Sequence, residues 1–266
     1  MTWSARLPDH CVHGVSDTTV FLLHGIYGSK DYWRFVTERL VASNYRVVAW
    51  DAPGYGFSPP AEGFTLMGAA KACARLIGKL GTSKNVVFGQ SMGGQIAMRA
   101  CRLVPGLIDG VIISSTIGYL GNKTPAEREQ FVQSRRITVT DKEPVAAKNL
   151  RLVTAMMAAG AAGSEVDLVR AVCATTPAHA VQAAVNAIEA APDAEAIGAL
   201  KAIHVPALFV AGEVDTVGRP DGMKRIADMV PNSKFEIVPA CGHYTWAENP
   251  QAFWSIASSF LSQFAK

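Results

Sequence analysis

The run Gly89-Gln90-Ser91-Met92-Gly93 follows directly on the apolar segment Asn85-Val86-Val87-Phe88. It opens a stretch, 94–103, whose apolar and small residues fall on one side of a helix. A chain with this arrangement has to turn a buried strand into a helix almost at once. A serine at such an elbow is held in a strained backbone conformation with its hydroxyl raised out of the sheet, and Gly89 and Gly93 leave the space that a side chain would fill. The residue after it, Met92, then presents its N–H at a helix N-terminus, where a developing oxyanion is stabilised. G-x-S-x-G also arises by chance in loops rich in glycine and serine. The strand before it and the helix after it give it chemical meaning here.

Four further segments read as strands that end in polar or glycine-rich turns. Thr18–Leu23 runs into His24-Gly25-Ile26-Tyr27-Gly28, and Val47–Trp50 into Asp51-Ala52-Pro53-Gly54-Tyr55-Gly56-Phe57-Ser58. Pro206–Gly212 runs into Glu213-Val214-Asp215, and Phe235–Pro239 into Ala240-Cys241-Gly242-His243. Gly110–Ser115 is the strand after the elbow helix, while 31–43 and 66–80 carry helical patterns. Strands alternating with helices predict a mainly parallel sheet covered on both faces. From Thr116 to about Gly198 that rhythm stops. Ala-rich, helix-favouring segments take its place at 143–160, 164–173 and 178–191, and Thr124-Pro125 supplies the cap and first position of another helix.

Taken in this order, the motifs resemble the α/β-hydrolase superfamily, in its serine-nucleophile branch. The resemblance covers nearly the whole chain. It implies an α/β-hydrolase fold, with a mostly parallel central sheet flanked by helices and an inserted helical cap. The expected division is a core of residues 1–117 and 199–266 and a cap of 118–198. About eighty residues are too many for a single crossover connection, which favours the cap over helices that merely complete the core.

The resemblance also assigns roles. Ser91 is the expected nucleophile, needing an adjacent base to take its proton. His243, late in the chain after a strand, is the expected base. Asp215 is the expected acid that orients the imidazole and stabilises its charged form. Glu213, two residues earlier, is a rival, since both carboxylates point to one side of an extended segment. Backbone N–H groups of Ile26 and Met92 are the expected oxyanion hole, with Gly25 and Tyr27 at the pocket. Trp246 is assigned to substrate binding, with core packing as the competing role. His24 and Asp51 read as architecture. Cys241 reads as a small buried thiol, and Arg135, Arg136 and Arg151 as solvated charges with carboxylate binding as the alternative.

Composition limits the partners. A net charge of +3, dispersed along 266 residues, gives no electrostatic footprint for nucleic acid. No apolar stretch reaches membrane-spanning length, and the first residues lack the apolar core of a signal peptide. Five scattered cysteines without C-x-x-C spacing fit reduced thiols in a cytoplasm and not a disulfide frame or zinc site. The expectation is a cytoplasmic monomer or homodimer needing no metal or organic cofactor. The predicted activity is hydrolysis of a small or medium carboxylic ester or lactone through an acyl-enzyme. Within the superfamily, Thr176-Pro177-Ala178-His179 and Glu248-Asn249-Pro250 are similar in layout to small carboxylesterases and 3-oxoadipate enol-lactonases. Two other readings remain at this level: a hydrolase of carbon–carbon bonds in ring-fission products, and a non-catalytic binder that keeps the fold.

Overall fold

The computed structural model describes residues 6–59, 63–136 and 143–265. Seven strands form one sheet: β1 (His10–His13), β2 (Thr18–Leu23), β3 (Arg46–Trp50), β4 (Lys84–Gln90), β5 (Gly110–Ser114), β6 (Ala207–Gly212) and β7 (Ser233–Val238). Their spatial order is β1-β3-β2-β4-β5-β6-β7. β1 runs antiparallel to β3, and every other neighbouring pair is parallel. β2, β5 and β6 are buried along their whole length, as their unbroken apolar runs require when helices cover both faces. β1 has no counterpart in the sequence reading. It is a four-residue edge strand, His-Cys-Val-His, with no apolar run to reveal it.

The chain leaves β2 outward to β3 and returns to β4 on β2's other side. The carboxyl ends of β2 and β4 therefore flank the crevice where the connections diverge, the usual ligand position in an open α/β sheet. The loop at 24–28 and the serine elbow both emerge there.

The helices of the core are α1 (Arg34–Ala42), α2 (Leu66–Leu80) and α3 (Met92–Leu103). Between β5 and β6 come α4 (Pro125–Arg135), α5 (Val145–Met156), α6 (Ser164–Ala174), α7 (Ala178–Ala190) and α8 (Asp193–Lys201). The chain closes with α9 (Pro220–Ala227), α10 (Thr245–Glu248) and α11 (Pro250–Leu261). α4 starts where Thr124-Pro125 predicts: Thr124 and Glu127 form a reciprocal capping box with Pro125 at the first turn. α8 was not read as a helix from sequence. It packs on α3, where Arg99, fully buried, meets Glu195 at 2.8 Å. No helix among the described residues is long and apolar enough to cross a membrane.

Candidate active site

Ser91 caps α3 with φ 53° and ψ −114°, a backbone conformation that costs about 1–3 kcal/mol and persists only where its surroundings impose it. Those surroundings are the two glycines. A Cβ on Gly89 would collide with the Gly93 carbonyl, and one on Gly93 with the carbonyl of Leu23 at the end of β2. Ser91 N donates to Ser114 O at 2.9 Å, and Ser91 O accepts from Gly94 N at 3.0 Å, which stitches the elbow to β5 and to α3. Met92 is the first helical residue, and its N–H belongs to the first turn, where donors lack helical acceptors.

His243 stands across the site on the loop after β7. Its Nδ1 lies 3.0 Å from Asp215 Oδ2 and 3.2 Å from Oδ1. Asp215 Oδ1 also accepts from Val217 N at 2.7 Å and Gly218 N at 3.0 Å, so the carboxylate is fixed before it touches the imidazole. Both side chains are buried. Glu213 does not compete. The chain turns after β6, with Asp215 N donating to Gly212 O, and Glu213 faces solvent to accept from Ala240 N at 2.8 Å. The resemblance favours Asp215, but alternation along an extended segment does not exclude Glu213; the turn after β6 separates the two.

The His243 loop is clamped from both sides. Glu248 Oε2 accepts from Gly242 N at 2.9 Å and from Ala158 N at 2.7 Å, and Oε1 accepts from Tyr244 N at 2.8 Å. His243 N itself donates to Met156 O at the end of α5. The sequence reading quoted Glu248 only as part of a family pattern and gave it no role.

The loop at 24–28 is held as tightly. Gly25 N donates to Tyr32 Oη at 2.8 Å, Tyr32 Oη donates to Gln90 Oε1 at 3.3 Å, and Gln90 Nε2 donates to His243 O at 3.2 Å. One buried chain thus connects the loop, the elbow strand and the histidine loop. A Cβ on Gly25 would lie 3.1 Å from Ser91 Cβ and overlap the Gln90 amide, so only glycine lets the loop come this close to the serine. The N–H of Ile26 has no hydrogen-bond partner among the described residues. His24 is fully buried: Nε2 accepts from Ala52 N at 2.9 Å, so Nδ1 carries the proton donated to Gly25 O at 2.7 Å. Burial lowers its pKa, which keeps the ring neutral and architectural, as expected.

Gly25, Ile26, Tyr27, Ser91, Arg135 and His243 all line one cavity. Ser91 Oγ makes no hydrogen bond with a described residue. Two expectations change, for Trp246 and for Arg135. Trp246 is buried among Tyr32, Trp33, Phe88 and Tyr244 and does not line the cavity, because it lies inside α10, which is packed beneath the site. The Met92 side chain is fully buried and likewise absent from the lining, so any part it takes is through its backbone. Arg136 and Arg151 are exposed and ion-paired with Glu189 and Glu143, but Arg135 is buried and faces the cavity. Cys241 is buried, and burial pushes its thiol pKa up. Among the described residues no three metal-ligating side chains gather.

A strained serine at a strand–helix elbow and a buried imidazole, itself held by a carboxylate, thus share one cavity. The profile described as the alpha/beta hydrolase family matches residues 20–256, and the chain belongs to that family. A curated mouse relative, the sn-1-specific diacylglycerol lipase ABHD11, is 22% identical over 263 residues, covering 91% of this chain and 80% of its own. A malate-bound thermophilic esterase from Thermogutta terrifontis superposes with a TM-score of 0.81 at 24% identity, over 97% and 94% of the two chains. A bromoperoxidase from Bacillus anthracis gives 0.83 at 21% identity, over 95% and 94%. At these identities the solved structures establish the shared fold alone.

Proposed function

We propose that this hydrolase cleaves a small or medium carboxylic ester or lactone, with Ser91 as nucleophile, His243 as general base and acid, and Asp215 as its orienting partner. The observation that carries the reading is the 3.0 Å contact between His243 Nδ1 and Asp215 Oδ2 at a cavity shared with Ser91. With Nδ1–H held by the carboxylate, Nε2 is left to take the Ser91 proton as Oγ attacks the acyl carbon. The N–H groups of Ile26 and Met92 stabilise the tetrahedral oxyanion. His243 then returns the proton to the departing alkoxide, and water, activated by the same ring, releases the acid from Ser91. Residues 118–198 act as the cap that shapes the pocket, through Arg135 on α4 and Met156 on α5. Five free cysteines support a reducing, cytoplasmic setting.

The deciding experiment assays p-nitrophenyl esters of increasing acyl length with the unaltered protein and with Ser91→Ala. Turnover that falls by about 10⁴-fold or more in the variant is the expected result, with a phosphonate label on Ser91. Equal turnover in both proteins would remove the serine from the chemistry.

A further inference from the structure

Among the described residues two arginines are buried, and their surroundings differ. Arg99 is neutralised by Glu195 at 2.8 Å. Arg135 has only neutral partners: Nη1 donates to Phe131 O and Ser134 Oγ, both at 3.0 Å, and Nη2 lies 3.5 Å from Met156 Sδ. Its guanidinium sits 4.1 Å from the centre of the Phe131 ring. No described carboxylate comes within ion-pair distance of it. Asp215 acts on it only through its field, and is already bound to His243, Val217 and Gly218. A cation taken out of water without a counter-charge is costly, and a fold keeps one where something else supplies the charge.

Beside it is a second unsatisfied group. The Tyr27 hydroxyl is buried, has no hydrogen-bond partner among the described residues, and belongs to the same cavity. Burial lifts its pKa to about 12, so at neutral pH it is a phenol with a proton to donate. Arg135 sits where two spaces meet, and Tyr27 lines the inner one. The inner space, next to Ser91 and His243, is about 10 Å³, roughly one water. The other, a cleft of about 320 Å³, is lined by Arg135, Phe131 and Met156 and also by Lys123. Lys123 donates to Val217 O at 2.9 Å and has no carboxylate partner among the described residues. Arg219, on the same cleft, is offset by Glu127 and Asp221. The boundary between the two spaces therefore carries a positive charge with no described carboxylate paired to it.

We infer that Arg135 and Tyr27 form an anion subsite, and that the substrate is an ester or lactone carrying a free carboxylate on its acyl or its alcohol part. The inference rests on the hydrolase reading above and gives it a substrate class. The guanidinium fork and the phenol converge on one carboxylate, which supplies the missing charge and the missing acceptor together.

The test separates binding from turnover. Ser91→Ala protein is titrated calorimetrically with monomethyl adipate, charged on the acyl side, and 4-acetoxybutanoate, charged on the alcohol side. The neutral methyl esters of both serve as controls. At least one acid is expected to bind 10-fold or more tightly than its neutral ester. That ratio should collapse toward one with Arg135→Gln and fall several-fold with Tyr27→Phe, which removes a single hydroxyl and guards against a misfolded arginine variant. Equal affinity for acids and neutral esters, no binding of either acid, or a ratio untouched by Arg135→Gln would overturn the subsite. The same four compounds are then turned over by protein with Ser91 intact. Serine-dependent hydrolysis without preference for an acid sinks the subsite and leaves the hydrolase. Selective binding of an acid without serine-dependent hydrolysis of any ester keeps the subsite and sinks the hydrolase reading.

Discussion

Asp215 touches His243 with both carboxylate oxygens, at 3.0 and 3.2 Å from Nδ1, while two backbone N–H groups hold its Oδ1. Glu213, two residues away, points to solvent. Asp215→Asn is expected to lower kcat by about 10³–10⁴-fold, since an amide at that position imposes the wrong tautomer on the imidazole. Glu213→Gln should stay within a few-fold of the unaltered protein. Steady-state ester kinetics on the two variants check this, and the reverse ranking would reassign the acid.

Tyr32 joins the loop at 24–28 to Gln90 through a single hydroxyl. Tyr32→Phe leaves Gly25 N without its acceptor in a buried setting, at about 1–3 kcal/mol. The expected result is a lower denaturation midpoint and a drop in kcat larger than any change in KM, because Ile26, the proposed oxyanion donor, loses its support. Loss of stability with kcat intact would show that the loop needs no such tie.

Glu248 accepts from the backbone on both sides of His243 and from Ala158 after α5. Glu248→Ala removes all three bonds, and we expect about 2–3 kcal/mol of lost stability. The pH–rate profile should broaden or shift, since a freed His243 loop no longer fixes the ring against Asp215. Urea denaturation and a pH–kcat series measure the two effects separately.

Lys30 bridges Asp51, which is buried, and Asp9, at 2.6 and 2.8 Å. Burial opposes its charge, but the hydrogen bonds and fields of Asp51 and Asp9 outweigh it and raise its pKa above the ordinary 10.5. A raised folded-state pKa means that the linked stability is fully present below 10.5 and is lost as pH climbs through the folded value. Lys30→Met, which strands a buried carboxylate, should cost about 3 kcal/mol at pH 7. The gap between variant and unaltered protein should narrow only in strongly alkaline solution. Denaturation midpoints measured from pH 7 to 11 test the sign.

Cys73, Cys101, Cys173 and Cys241 are buried, and Cys11 is partly exposed. Burial raises the pKa of all five, to about 12 for Cys101 and Cys173, so little thiolate forms near pH 8. In the native protein no more than one thiol, Cys11, should react with a disulfide reagent within minutes. All five should react in guanidinium. Rapid modification of a second native thiol would contradict the packing around Cys241 or its three buried counterparts.

What could be read before folding was whatever a short window carries. The unbroken apolar runs of β2, β5 and β6 mark strands buried on both faces, and Gly89 and Gly93 mark a turn that admits no Cβ. Thr124-Pro125 marks the start of α4. Each depends on residues within a turn or two of one another, so period and steric volume suffice. Four features are not of that kind. β1 exists because β3 offers it an edge; its own four residues carry no signal. Asp215 rather than Glu213 reaches His243 because of a turn after Gly212. Trp246 faces the core because α10 packs beneath the site. Arg135 and Arg136 are adjacent in sequence, yet one is buried at the cavity and the other is exposed beside Glu189. The sequence by itself determined the buried strands, the elbow and the start of α4, because local sterics and hydrophobic period act along the chain. The tertiary structure alone decided which carboxylate meets the base, which arginine loses its water and where the tryptophan turns, because burial is a property of what packs against a residue from elsewhere in the chain.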